Sequence, residues 1–276
     1  MPFQHAAVSA FEMAVQDYLS QAAGLPLWRF LGPGDPDKAL RTDQTISILP
    51  PPQAAEEAAR IVHEGFTIIK VKLGDGVRAD LARLEAIRIA VGEEVTLRVD
   101  ANQAYDAIEG ETLLRGLEPF GIEFIEQPVA KTDLAGMKAL NDLGLVPVMA
   151  DESCFSVLDG LALRGCCWGV NVKLSKSRGL AGGLAIAQLG YPSMVGGMIE
   201  TRLGTTAAAH LARAHPSFQY FDLDSSLGHG ADWVIGGISV RDGVVHLPDS
   251  PGLGASLDSG FLSHVAGSQV VEVRGG

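Results

Sequence analysis

Cysteine is scarce in this 276-residue chain: Cys154, Cys166 and Cys167 are the only three, and no two stand at CxxC spacing. Adjacent cysteines seldom bridge and an odd count makes a poor disulfide framework, so idle or buried thiols in a reducing, cytoplasmic setting are expected. The seven histidines form no HxxxH or HExxH pair, and none accompanies a cysteine at ligand spacing. A zinc hydrolase therefore has no ligand set. Positive charge is also short: 21 Lys and Arg stand against 33 Asp and Glu, a net charge of −12. That is the wrong sign for a nucleic acid partner or an anionic membrane surface. No uninterrupted apolar run reaches about 18 residues, the length that marks a spanning helix. The opening "MPFQHAAVSAFEMAVQDYL" lacks a basic region ahead of its apolar residues and is broken by acids, unlike a secretion signal.

What is present is enough apolar matter for a compact body, with 47% hydrophobic residues and a mean hydropathy of +0.19. The length accommodates one barrel plus a small appendage. From about residue 45 one pattern recurs: a short β-rich apolar run, a loop, an amphipathic helix, then Gly or Pro. The runs are "TISIL" (45–49), "TIIKVKL" (67–73), "TLRVDA" (96–101), "EFIEQP" (123–128), "PVMADES" (147–153), "GVNVKLS" (169–175), "VGGMIET" (195–201) and "YFDLDS" (220–225). A separation of roughly 25 residues suits a strand plus a crossover helix. Eight such units predict a parallel (β/α) barrel. Gly65 and Gly92 stand where helices should stop. An open doubly wound sheet shares this spacing, but no GxGxxG follows the first run and no GxxxxGK[ST] occurs, so its nucleotide-binding versions lose ground. Residues 1–42 hold a strong helix followed by "LPLWRFLG", and residues 227–276 are Gly-rich with a hairpin expected to turn at Asp242 and Gly243. Both flanks read as a small cap or packing shell around a catalytic barrel at 43–226.

Side chains on a strand alternate faces. Lys70 and Lys72 thus share one face while Ile69, Val71 and Leu73 share the other. The pair fits either an edge strand with a wet face or two ammonium groups side by side in a cavity, each lowering the other's pKa. The remaining runs favour the cavity. Strand three offers Arg98, Asp100 and Asn102; strand four Glu126; strand five Asp151; strand six Asn171 and Lys173; strand seven Glu200; strand eight Asp222 and Asp224. All would face inward near the C-terminal strand ends, where the active site of a parallel barrel forms.

Asp100, Glu126 and Asp151, on successive strands, would repel one another unless a cation or the lysines neutralise them. Hard oxygen ligands of this kind suit Mg²⁺ with positions left open for substrate oxygens. A structural ion network with Lys70, Lys72 and Lys173 is the other reading, and burying so many charges for stability alone is unfavourable. Held against such a cation, a carboxylate substrate would have an acidified α-proton, which a neutral lysine could take. A second lysine across the plane could return one to the opposite face, which is the chemistry of a racemase or epimerase.

"KVK", "DAN", "EQP", "DES" and "NVKLSK", in this order and spacing, closely resemble the muconate lactonizing subgroup of the enolase superfamily. A lysine base with Mg²⁺ acting through an enediolate is that superfamily's known chemistry, and it enters here by resemblance. The resemblance implies a TIM-type (β/α)7β barrel with an N-terminal α+β cap, of which residues 1–42 correspond to the helical part alone. It also implies Mg²⁺ ligands at Asp100, Glu126 and Asp151, and acid/base catalysts at Lys72 and Lys173 with Lys70 in support. "FDLDS" resembles the Asp-x-Asp feature of dipeptide epimerases, where Asp222 and Asp224 would hold the substrate's α-ammonium group. "RTDQTISI" matches the same pattern and adds Thr45 to the substrate-binding set, beside Asn102 and Lys70. The implied activity is Mg²⁺-dependent epimerisation of a dipeptide at the α-carbon of its C-terminal residue. An o-succinylbenzoate synthase, an N-succinylamino acid racemase and a non-catalytic remnant are the alternatives. Expected partners are a small-molecule substrate, with assembly into a homo-oligomer left open, and neither nucleic acid nor membrane.

Overall fold

The fold is taken from a computed structural model, which describes residues 4–230 and 232–261. Parts of the 1–42 and 227–276 segments, at residues 1–3, 231 and 262–276, lie outside the described residues. The chain opens with α1 (His5–Ala22), α2 (Leu27–Leu31) and β1 (Leu40–Arg41). Strands and helices then alternate: β2 (Gln44–Ile46), α3 (Pro51–His63), β3 (Ile68–Lys72), α4 (Val77–Val91), β4 (Thr96–Asp100), α5 (Ala107–Gly116) and β5 (Ile122–Glu126). The alternation continues through α6 (Leu134–Asp142), β6 (Val148–Ala150), α7 (Val157–Ala162), β7 (Gly169–Lys173), α8 (Leu174–Ser177), α9 (Leu180–Ala187), β8 (Ser193–Gly196), α10 (Arg202–Ala214) and β9 (Phe218–Phe221). Four short strands follow: β10 (Val234–Gly236), β11 (Ser239–Arg241), β12 (Val244–His246) and β13 (Ala255–Leu257).

β2 to β9 form one eight-stranded sheet in sequence order, every neighbour parallel. Its two edges meet: Asp43 N donates to Phe221 O (3.3 Å), and Leu223 N to the Thr42 hydroxyl (2.8 Å). The expected TIM-type (β/α)7β barrel is the fold observed. Local sequence explains its helices. Pro51 and Pro52 open α3 with φ already set, and the Asp106 carboxylate accepts from Ile108 N and Glu109 N in a capping box that starts α5. Gly92 closes α4, and Gly65 follows the end of α3.

Ile69, Val71, Leu97 and Val99 face outward and pack with Leu84, Ile87, Leu113 and Leu114 of the surrounding helices. Inside the barrel, Phe124, Met149 and Met194 form a separate apolar floor with Trp168 and Tyr220. Phe124 stands two residues before Glu126, Met149 two before Asp151 and Tyr220 two before Asp222, so the floor lies one layer below those charges. The two flanks are knitted together, since β1 pairs with β12 and β12 with β11. The hairpin turns at Asp242 (φ 49°) and Gly243 (φ 69°), the two left-handed residues a type I′ turn requires.

Several strands end earlier than expected. β8 stops at Gly196, so Glu200 sits in the loop before α10 rather than on a strand, and β9 stops at Phe221, ahead of Asp222 and Asp224. In each case apolar alternation runs on past the last ladder hydrogen bond, where only tertiary contacts decide the path. Among the described residues no helix is long and apolar enough to cross a membrane.

Candidate active site

At the C-terminal mouth of the barrel is a cavity of about 1220 Å³, lined by Thr45, Lys70, Lys72, Asn102, Asp151, Lys173, Asp222 and Asp224, among others. Asp100 and Glu126 are buried at its base. Register creates this convergence. Lys72 pairs with Asp100, and Asp100 with Glu126, across β3, β4 and β5, which sets the three side chains along one layer a strand spacing apart.

Lys70 is fully buried and stands at the centre of the charges. Its Nζ lies 3.1 Å from Asp100, 2.7 Å from Glu126 and 2.9 Å from Asp222. Lys72 donates to Asp100 (2.6 Å) and to Asn102 Oδ1 (3.0 Å). The two ammonium groups thus share the Asp100 Oδ2 oxygen, which answers the edge-strand reading. Lys173 lies 2.8 Å from Asp151. The Glu126 Oε1 atom accepts from Asn171 (2.7 Å), and Gly196 makes room for that amide, because a Cβ there would stand 2.6 Å from Asn171 Oδ1.

The charge balance differs from the expectation that neighbouring lysines push one another toward neutrality. Burial alone would lower the Lys70 pKa, but Asp222, Glu126 and Asp100 outweigh it and hold the group well above its ordinary value. Lys173 is raised in the same way, its burial overcome by Asp151 and Glu126. Around Lys70 and Lys173 the carboxylates set the ionisation, and like-charge repulsion is the smaller effect. Among the acids, burial and then Asp100 push Glu126 up to about 8. Burial would raise Asp151 too, but Lys176 and Lys173 hold it well below the usual carboxylate range. Asp222 is brought down to about 2 by Lys70 and Lys173 against its burial. Asp224 is pushed up to about 6 by burial and by Asp222, and its Oδ2 accepts from Thr45 N (2.7 Å).

Not every inward residue reaches the cavity. Arg98 lies a layer below Asp100, paired with Asp43 (2.8 Å) and Glu123 (2.6 Å) and over the Phe124 and Tyr220 rings. Two residues inside the quoted motifs carry roles that pattern alone did not assign. Lys176, the last residue of "NVKLSK", donates to Asp151 Oδ1, to Asp151 O (2.7 Å) and to Asn171 O (3.0 Å). Gln127 of "EQP" has φ 38° and is fully buried. Its Oε1 accepts from Asp151 N (2.9 Å) and Ser153 N (3.1 Å), tying the end of β5 to the end of β6. The signal for both was a polar residue one or more places past a strand end, which alternation cannot orient.

Asp100, Glu126 and Asp151 fit a divalent cation by chemistry: three carboxyl groups at the ends of adjacent strands, all buried, with Glu126 driven toward protonation by burial and by its acidic neighbour Asp100. Among the described residues no three acidic, His or Cys groups already stand as a ligand shell. Ammonium groups of Lys70, Lys72, Lys173 and Lys176 occupy that role instead.

Residues 53–260 match the family described as enolase C-terminal domain-like. D-Ala-D/L-Ala epimerase of Cytophaga hutchinsonii is 41% identical over 262 residues, covering 92% of this chain and 71% of that protein. L-Ala-D/L-Glu epimerase of Bacillus subtilis is 41% identical over 258 residues, covering 90% of this chain and 70% of its own length. The crystal structure of the Cytophaga hutchinsonii dipeptide epimerase with Mg and D-Ala-L-Val superposes with a TM-score of 0.93 at 39% identity, covering 96% of this chain and 73% of that one. By sequence and by fold the chain belongs to the enolase superfamily, as an isomerase of the dipeptide-epimerase-like group.

Proposed function

We propose that this protein epimerises dipeptides by 1,1-proton transfer at the α-carbon of the C-terminal residue, with Lys72 and Lys173 as the two acid/base groups. One observation carries the reading: Lys72 ends β3 and Lys173 ends β7, four strands apart either way around an eight-stranded barrel, with the Asp100, Glu126 and Asp151 strands between them. A substrate lying over the barrel axis would present opposite faces of its α-carbon to the two amines. In one direction the Lys72 amine takes the α-proton, leaving an enediolate, and the Lys173 ammonium delivers a proton to the other face. The reverse reaction exchanges the roles. Lys173, held as an ammonium in this structure, suits the donor half.

Asp100, Glu126 and Asp151 would hold Mg²⁺. When bound, the cation draws the carboxylates' charge away from the lysines and neutralises the charge that builds on the substrate carboxylate as the proton leaves. Lys70 keeps a fixed positive charge between Glu126 and Asp222. Asp222 and Asp224 receive the substrate's α-ammonium group, with Thr45 N–H orienting Asp224 and Asn102 orienting Lys72.

Proton NMR in D₂O with Mg²⁺ tests this. Deuterium should enter the α-position of the C-terminal residue of L-Ala-L-X dipeptides as the epimer forms. Lys72→Ala and Lys173→Ala should each stop epimerisation while leaving the circular dichroism spectrum unchanged. Retained epimerisation in either variant rules out the two-base scheme. Turnover of N-succinyl amino acids but no dipeptide would remove the role given to Asp222 and Asp224.

A further inference from the structure

The proposed chemistry fixes three of the four directions around the substrate's α-carbon. The proton leaves and returns along the line from Lys72 to Lys173. The carboxylate points toward the acids of β4, β5 and β6, and the amide nitrogen leads toward Asp222 and Asp224 past the end of β9. One in-plane substituent is left, the side chain of the epimerised residue, and it must turn away from the barrel floor toward the cavity mouth.

That part of the cavity is walled differently from the floor. Ala6, Ala10, Met13 and Ala14 recur at helical spacing along α1 and face the cavity, and Met198 and Ile199 close over it from the loop after β8. Ile199 is 93% exposed and Met198 54%, so two large apolar side chains stand uncovered at the edge of a cavity. The cations of the cavity are already committed. Among the described residues lining it there is no arginine, and Lys70, Lys72, Lys173 and Lys176 each lie against a carboxylate of the centre. A carboxylate side chain at the mouth would lose water without gaining a free positive partner. Acids of the wall accept hydrogen bonds of their own. Glu200 is turned back toward its own loop, accepting from Met198 N, with Oε2 2.5 Å from where a Cβ on Gly204 would stand. Glu152 Oε1 accepts from Asn102 beyond the end of β4 while its Oε2 has no partner among the described residues, and Asp17 of α1 accepts from Leu253 N and Gln21 Nε2.

Resting on the epimerase reading above, we infer that the substrate class is dipeptides whose C-terminal residue carries an uncharged, apolar side chain. The side chain is received by Met13, Met198 and Ile199 over the alanine face of α1. Covering those groups removes apolar surface from water on both partners, and that gain is available to leucine or methionine but not to glutamate or lysine.

The test compares initial rates of α-deuteration for L-Ala-L-Leu, L-Ala-L-Met, L-Ala-L-Glu and L-Ala-L-Lys with the full chain and Mg²⁺. The apolar dipeptides should exceed both charged ones in kcat/KM by roughly tenfold or more. Ala10→Arg, at an exposed and helix-compatible position, should narrow or invert the ratio of Leu to Glu by supplying the missing cation. Ile199→Arg serves as the second variant should Ala10→Arg fail to fold. A preference for the Glu or Lys dipeptide in the parent protein, or a Leu-to-Glu ratio unmoved by either folded variant, overturns the inference and leaves the epimerase intact. Silence with all four dipeptides overturns the epimerase reading and this inference with it.

Discussion

Replacing Lys70 by methionine tests whether one ammonium group is the counter-charge that keeps the centre folded. The change keeps the stem's approximate volume and removes a charge that is 2.7 Å from Glu126, 2.9 Å from Asp222 and 3.1 Å from Asp100, with Asp100 and Glu126 fully buried. Removing one member of a buried ion cluster usually costs about 3–5 kcal/mol. Two features of this site favour the lower end. Asp100 keeps Lys72 at 2.6 Å, and Glu126, pushed up to about 8, is already largely protonated at pH 7 and so needs little counter-charge there. A loss of about 3 kcal/mol at pH 7 would lower Tm by roughly 6–12 °C in a chain of this size. The sign of its pH dependence follows. Carboxyls left without a counter-charge have folded pKa values raised above their unfolded ones, so the variant gains from protonation and its deficit widens as pH rises. Urea denaturation of parent and variant at pH 5.5, 7 and 8 measures this. Added Mg²⁺ should recover stability in the variant if the three acids ligate it, by the usual linkage of ligand to the folded state. A deficit below about 1 kcal/mol that does not change with pH would refute the reasoning, which takes these as uncompensated buried charges.

Two further outcomes follow from groups outside the centre. His210 is buried with both ring nitrogens in use: Trp28 N donates to Nδ1 (3.1 Å), and Nε2 meets Leu253 O (3.1 Å). Burial, with a smaller push from Arg213, lowers its pKa to about 4, so the unfolded chain binds the proton first. Stability should therefore decline by about 2 kcal/mol as pH falls from 7.5 to 5, a slope that His210→Gln abolishes in urea titrations. Asp106→Ala removes the capping-box acceptor of Ile108 N and Glu109 N. It should cost about 1 kcal/mol by denaturant midpoint, and α-deuteration rates should stay near the parent's.

Much of the barrel was legible because strand and helix periods differ, and eight repeats of the alternation leave few topologies open. Outward residues such as Ile69, Val71, Leu97 and Val99 followed directly from parity. Strand ends did not. Glu200 was assigned to a strand because apolar residues continue through Met198 and Ile199, and those residues prove to be the loop over the cavity. Arg98 shares parity with Asp100 yet sits a layer lower, held by Asp43, because alternation says which face a side chain takes and nothing about depth along the barrel axis.

The sequence by itself determined the barrel, its strand order and the shared inward face of Lys70, Lys72, Asp100, Glu126 and Lys173 on their strands, since these depend on spacing along one chain. Only the tertiary structure decided the charge balance. Lys70 meets Asp222 across 152 positions of sequence, and Lys176 and Gln127 brace Asp151 from two other strands' ends. Ionisation depends on the sum of all charges within a few ångströms and on the water excluded around them. Those distances exist only once β9 closes against β2.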